Sequence, residues 1–232
     1  MRKKGQKVAA NRSDRDAKEG VVIAKANAAN NYGIVLTLSS ETDFVAKNEE
    51  FINFAQTVAD IALETKVTTI DDLKAAAMSG ATVGKKLLEM IGKIGEKLDI
   101  NSFETVTGDA VVPYIHSGYR IGWLVGMNQA ANDDMLTAGR DVAMQIAAMN
   151  PVAVDASGVP AEAIEREKSI AKEKAIAAGK PENILEKIAE GASNTFIKEN
   201  TLLTQPFVKD GSKTVQQVLG AAESALTVTA FK

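Results

Sequence analysis

The chain has 232 residues, which suits one large domain or two small ones and is enough for a sizeable buried core. Hydrophobic residues make up 45% and charged residues 25%, ordinary for a globular protein, and the net charge of −3 argues against a whole-chain polyanion binder. With no Cys and a single His, the sequence excludes disulfides, thiolate chemistry, Cys-ligated zinc and paired-His metal sites.

Residues 1–19 set seven basic side chains (Arg2, Lys3, Lys4, Lys7, Arg12, Arg15 and Lys18) against Asp14, Asp16 and Glu19. Large apolar side chains are almost absent there. Two readings stand: a solvated basic linker, or an electrostatic arm for RNA or an acidic protein. No aromatic is interleaved for base stacking, so no nucleic-acid partner is expected. No apolar stretch follows the basic start, as a signal peptide would need, and no run approaches the roughly 20 residues of a membrane span. A cytoplasmic protein without membrane contact is expected.

Val21 to Ala26 and Ile34 to Leu38 read as paired strands across an Asn30-Asn31-Tyr32-Gly33 turn, the second apolar enough to be covered on both faces. A polar connection, Ser39 to Asn48, is interrupted by Phe44 and Val45. The helix after it, to about Glu64, carries Phe51, Phe54, Ala55, Val58, Ile61 and Ala62 on one face. Thr69 and Asp72 fit a capping box for a short helix over 70–78. A helix over 82–98 has a stripe of Leu87, Ile91, Ile94 and Leu98. Strands are expected over Phe103–Thr107, Val111–His116 and Arg120–Met127. A helix from Asn132 to Met149 turns Met135, Val142, Ile146 and Met149 inward and stops at Pro151.

Pro160 opens a further helix to Ala178, and Gly179-Lys180-Pro181 turns the chain into a partner helix over Glu182–Lys198. Ile164, Ile170, Ala171, Ala175 and Ile176 face Ile184, Leu185, Ile188 and Phe196 along a thin seam, as in a projecting antiparallel hairpin of coiled-coil type. A strand near Leu203–Val208, a short helix near Val215–Leu219 and a strand at Leu226–Phe231 close the chain. The order predicts an α+β fold with antiparallel sheets flanked by helices. Two core subdomains are expected, 20–101 and 102–232, the second carrying the hairpin insertion 152–200.

Catalytic motifs fail on inspection. Gly80 to Lys86 has its glycines one residue too close for a phosphate loop, and Lys86 stands in place of the hydroxyl. Ser169 and Lys172 match a serine-nucleophile spacing but lie mid-helix without partner motifs. His116 has no nucleophile turn to serve. The pairs Glu49-Glu50, Asp71-Asp72 and Asp133-Asp134 each open a helix, where the dipole favours anions. Neither an enzyme, a cofactor nor a metal is expected.

Glu41-Thr42-Asp43-Phe44-Val45-Ala46-Lys47-Asn48 places a large aromatic in a short polar connection. One reading is local: Asp43 or Asn48 caps the helix and Phe44 packs beside it. The other is an exposed anchor on a loop held by rigid flanks, as aromatics at interfaces often are.

This segment resembles the hallmark loop of the bacterial elongation factor Ts family, guanine-nucleotide exchange factors for elongation factor Tu in translation. Further stretches are similar in the family's order: Asn31-Tyr32-Gly33, Lys93-Ile94-Gly95-Glu96, Tyr114-Ile115-His116-Ser117-Gly118 leading to Arg120-Ile121-Gly122, Ala143 to Ala148 with Pro151, Gly179-Lys180-Pro181, and Gln205-Pro206-Phe207-Val208. The resemblance implies a two-part core with an inserted helical hairpin. It implies that Thr42, Asp43, Phe44 and Val45 enter the GTPase domain of GDP-bound elongation factor Tu, with Asp43 and Phe44 wedged beside its magnesium site. Ile94 and Gly95 match a second contact on that domain, and His116 a contact to another. No residue would touch the nucleotide directly.

There are departures. The family usually begins with a helical domain carrying a T-G-A-G-type turn, and Met1-Arg2-Lys3-Lys4-Gly5 resembles its end, so the resemblance implies that this domain is missing here. Trp123 replaces a smaller aliphatic, Gln145 a frequent His, and Ala192 and Thr195 frequent basic residues. The alternative function is a docking or scaffold protein for elongation factor Tu without exchange activity.

Overall fold

The computed structural model describes residues 2–232. In chain order it contains α1 (Arg2–Asn11), β1 (Glu19–Ala26), β2 (Tyr32–Ser40), α2 (Asp43–Ala46), α3 (Glu49–Thr65), α4 (Ile70–Ala75), β3 (Ala77–Met78), β4 (Ala81–Thr82), α5 (Val83–Ile94), β5 (Asp99–Thr107), β6 (Ala110–His116), β7 (Ile121–Met127), α6 (Asp133–Met149), α7 (Ala161–Ala177), α8 (Leu185–Asn200), β8 (Pro206–Phe207), β9 (Asp210–Thr214), α9 (Val215–Ala222) and β10 (Val228–Phe231). This is an α+β protein with small antiparallel sheets flanked by helices. It divides into two compact units: residues up to Ala143 with Ala230–Lys232, and Met144–Thr229.

The first unit is built around β2. One sheet has the order β1-β2-β5, the other β10-β7-β6. Side chains of a strand alternate between faces. On β2, Ile34, Leu36 and Leu38 therefore join Phe51, Phe54, Val58, Leu73, Leu87 and Ile91 in a core beneath the helices. Val35 faces the other way, with Val106, Val111 and Leu124, in a smaller core between the sheets. Gly33 permits that second contact, because a Cβ there would lie 2.7 Å from Val111 Cγ1 and 2.9 Å from Leu124 Cδ2. The expectation that this strand is covered on both faces thus holds.

The expected boundary at residue 101 falls inside β5, whose register with β2 runs from Asp99 to Thr107. Splitting there would cut the first sheet, and the units divide at Ala143 instead. The expected linker over 1–19 is a helix for half its length. Gly5 of α1 is buried, and a Cβ on it would stand 1.8 Å from Leu88 O of α5. The side chain that is missing is what lets the two backbones approach.

Other boundaries moved for local reasons. The 82–98 helix stops at Ile94, since Gly95 takes a left-handed φ of 85° and closes α5 through its N–H to Ile91 O. Leu98 is buried all the same, just ahead of β5. The 70–78 helix ends at Ala75, and the chain forms the small β3–β4 pair. Met149, expected inward, is 45% exposed at the end of α6.

In the second unit α7 and α8 fold back on each other, with Lys172 Nζ bonding Glu186 of the facing helix. The roots of the pair are tied by Val152 N–H to Asn200 O, Leu202 N–H to Ala153 O and Leu203 N–H to Val154 O. Ala175 and Ala189 occupy the seam, while Ile176 is 61% exposed near the turn rather than facing inward. The expected strand over 203–208 is a short 3-10 turn, Leu202–Thr204, followed by two-residue β8. Hydrogen bonds from the Thr204 hydroxyl to Lys198 O and Thr201 O hold that turn. Gln145, fully buried, donates to Gln205 Oε1 and Pro206 O and accepts the Val208 N–H at 2.7 Å.

Candidate partner-binding site

β2 ends in the buried pair Ser39 and Ser40. Ser39 Oγ donates to Asp99 O and Ser40 Oγ to Thr42 O, so the strand delivers Glu41 and Thr42 at fixed positions. The expected polar connection then contains the one-turn helix α2, Asp43–Ala46, with Thr42 as its N-cap. Asn48 caps the next helix, its Oδ1 accepting the N–H groups of Glu50 and Phe51. Of the two readings of this segment, the cap at Asn48 is real, but Phe44 does not pack beside the helix. It is 82% exposed. Val45 turns inward and packs against the core under α3. One residue in this turn therefore anchors it while its neighbour presents a bare aromatic ring.

The turn is held from a distant part of the chain. Glu96, just after the Gly95 cap, accepts the Glu41 and Thr42 N–H groups at Oε2, at 3.2 and 3.1 Å, and the Thr42 hydroxyl at Oε1, at 2.7 Å. Glu41 answers by accepting the Lys97 N–H at 2.6 Å. It also accepts from Arg12 Nη1, at 2.8 Å on Oε1 and 2.7 Å on Oε2. Lys97 Nζ in turn donates to Ser13 O and Arg15 O. The structure thus brings Thr42, Asp43, Phe44 and Val45 together with Ile94 and Gly95. Ile94 is partly buried against the same core.

Two carboxylates here titrate low. Burial pushes the Glu41 carboxyl up, but the Arg12 hydrogen bond, the Lys97 N–H and the charges of Arg12 and Arg15 outweigh it, and the net shift is downward. Asp43 is lowered chiefly by its hydrogen bond from Lys47 at 2.7 Å, with the Lys47 charge adding to it. Both partners of that second pair are substantially exposed, so it adds little stability.

His116 lies elsewhere in the same unit, at the exposed end of β6 opposite Ile121. Its ring stacks on Tyr114, and the Tyr114 Oη lies 2.9 Å from Nδ1. The turn after it carries three consecutive positive φ angles, Ser117 at 52°, Gly118 at 64° and Tyr119 at 71°. Tyr119 O accepts the Val22 N–H, fixing that turn to β1. The side-chain partner of His116 is Tyr114 on its own strand, not a residue of the Phe44 turn.

The motifs set aside as catalytic have structural places. Gly80, φ 75°, turns the β3–β4 pair, and Thr82 caps α5. Lys172 serves the helix hairpin, and the acidic pairs sit in the first turns of α3, α4 and α6. Among the described residues, no cluster of His, Asp and Glu could hold a metal ion, and no helix is long and apolar enough to cross a membrane. Sequence reasoning missed Glu41, Arg12 and Lys97 as holders of the turn. It noted Glu96 only as part of a matching stretch, since each acts across many intervening residues.

The family model described as Elongation factor TS matches residues 41–232. Over all of its length the chain is 48% identical to the Elongation factor Ts of Amoebophilus asiaticus, of which it covers 84%. It is 46% identical to that of Flavobacterium psychrophilum, again covering 84%, and 40% identical to that of Azobacteroides pseudotrichonymphae, covering 83%. All three relatives are elongation factors. The chain belongs to the elongation factor Ts family.

Proposed function

We propose that this chain is a guanine-nucleotide exchange factor of translation elongation: it binds GDP-bound elongation factor Tu and promotes GDP release. The observation that carries this reading is Phe44, 82% exposed on a one-turn helix whose backbone is clamped from a second segment. Thr42, Asp43, Phe44 and Val45 form the element that enters the GTPase beside its magnesium site. Ile94 and Gly95 form the adjoining contact, and His116 an outlying one.

The mechanism is linkage. If factor and nucleotide favour different conformations of one GTPase, whatever affinity the factor removes from GDP, GDP removes equally from the factor. Burying a Phe side chain is worth about 1.5–3 kcal/mol. That gain is available only where a slot for the ring has opened, so it favours the distorted GTPase. Moving a magnesium ion away from the phosphates removes a large local charge and speeds GDP departure. No group on this chain has to touch the nucleotide, and no chemical step is catalysed.

The test is release of labelled GDP from elongation factor Tu. The chain should accelerate it, and Phe44→Ala should lose about 10- to 100-fold of that acceleration. Binding without acceleration would leave the chain a docking protein and overturn the exchange reading.

A further inference from the structure

We infer that Glu96 is a positioning residue, which sets the direction in which Phe44 points. The inference deepens the proposed exchange function and rests on it for its kinetic readout.

α2 has four residues, Asp43–Ala46. An isolated helix of that length does not persist in water. Its own N-cap bond, Val45 N–H to Thr42 Oγ1, is 3.5 Å long, at the limit of a hydrogen bond. Phe44 has almost no packing to fix its ring. Its orientation is therefore inherited from the backbone of residues 41–45.

Glu96 holds that backbone through three donors, the N–H groups of Glu41 and Thr42 and the Thr42 hydroxyl. Hydrogen bonds to an ionised acceptor are about twice as strong as neutral ones. Gly95, in the left-handed region at φ 85°, reverses the chain directly before Glu96. The residue that fixes the start of α2 therefore directly follows Ile94 and Gly95. Glu96 sets the spacing between the two proposed contact segments, so they meet a partner as one prepared surface.

Two readouts test this. In the free protein, Glu96→Ala should speed hydrogen exchange of the Thr42 to Lys47 amides about tenfold or more, leaving α3 and α5 protected as before. In GDP release, Glu96→Ala should lose about tenfold in rate, and Glu96→Gln, which keeps an acceptor in place, should stay within about threefold of the parent. Combined with Phe44→Ala, Glu96→Ala should add less than about twofold, because its effect runs through the ring. Normal exchange in the turn, or full additivity with Phe44→Ala, overturns the inference. If the alanine variant does not fold, Glu96→Asp, which keeps the charge and shortens the reach, carries the same comparisons. A silent Phe44→Ala would sink the wedge reading instead, and Glu96 would then stand or fall on the exchange of the turn alone.

Discussion

The Glu41 carboxylate accepts the backbone N–H of Lys97 at 2.6 Å, across 56 positions of chain. The same carboxylate also accepts from Arg12 Nη1 on both of its oxygens, so a single acid joins the segment after α1, the end of β2 and the chain leaving α5. Only 11% of the Glu41 side chain is exposed. A charge so placed is stable only while its donors remain.

Acid should therefore loosen this junction. The Glu41 pKa is lowered in the folded chain. A lowered pKa contributes stability that is present above the unfolded glutamate value, about 4.3, and lost as pH falls through the folded value. Urea unfolding across that range should show a steeper acid loss for the parent than for Glu41→Gln. At neutral pH Arg12→Ala should cost about 1–3 kcal/mol, since it leaves a mostly buried carboxylate short of a charged donor. Equal acid slopes for the parent and Glu41→Gln would remove Glu41 as the source.

Gly5→Ala should release α1. Its new Cβ would meet the Leu88 carbonyl oxygen, a backbone atom that cannot step aside. The expected result is fast amide exchange over residues 2–11 with protection kept in β1 and β2. The loss should be about 1–3 kcal/mol, typical of forced overpacking.

Tyr114→Phe isolates His116. With Tyr114 Oη as donor to Nδ1, the hydrogen of a neutral imidazole sits on Nε2. Removing the hydroxyl should let both tautomers appear in nitrogen NMR while changing stability by less than about 0.5 kcal/mol at this exposed site. If His116 contacts elongation factor Tu through Nε2–H, affinity should fall about 2- to 10-fold. An unchanged tautomer ratio would mean that the hydroxyl does not set it.

Gln145→Ala should weaken the second unit. Gln145 satisfies the Val208 N–H and the Pro206 carbonyl from a fully buried position. Leaving such groups unpaired costs about 1–3 kcal/mol. Hydrogen exchange should rise first in β8 and β9. Gln145→His should recover part of the loss if its ring reaches the same two groups.

What the sequence made legible is unequal across the chain, for physical reasons. The run Ile34 to Leu38 and the stripe Leu87, Ile91 announced themselves because large apolar side chains mark buried faces, and both lie in the main core. α1 stayed hidden because the contact that seats it relies on an absent side chain at Gly5, which no hydrophobic pattern records. The two-residue strands β3, β4 and β8 are too short to alternate visibly. At the site, the types of residue were readable but their disposition was not. Local chemistry favoured Phe44 packing beside the helix over protruding, and the opposite outcome came from Val45 taking the inward position. The hold of Glu96 on Thr42 spans 54 positions, beyond any local pattern.

The place of β2 between β1 and β5 has one more consequence. Ile34-Val35-Leu36-Thr37-Leu38 is uncharged, lacks Pro and Gly, and favours extended backbone, the composition from which stacked fibrils are made. With a strand on either side, both rows of its amides are engaged, and the outer strands carry charges such as Lys25 and Glu104. Charged side chains on exposed strands discourage edge-to-edge pairing with another copy. The strand order that builds the core also keeps this stretch off the edge of its sheet.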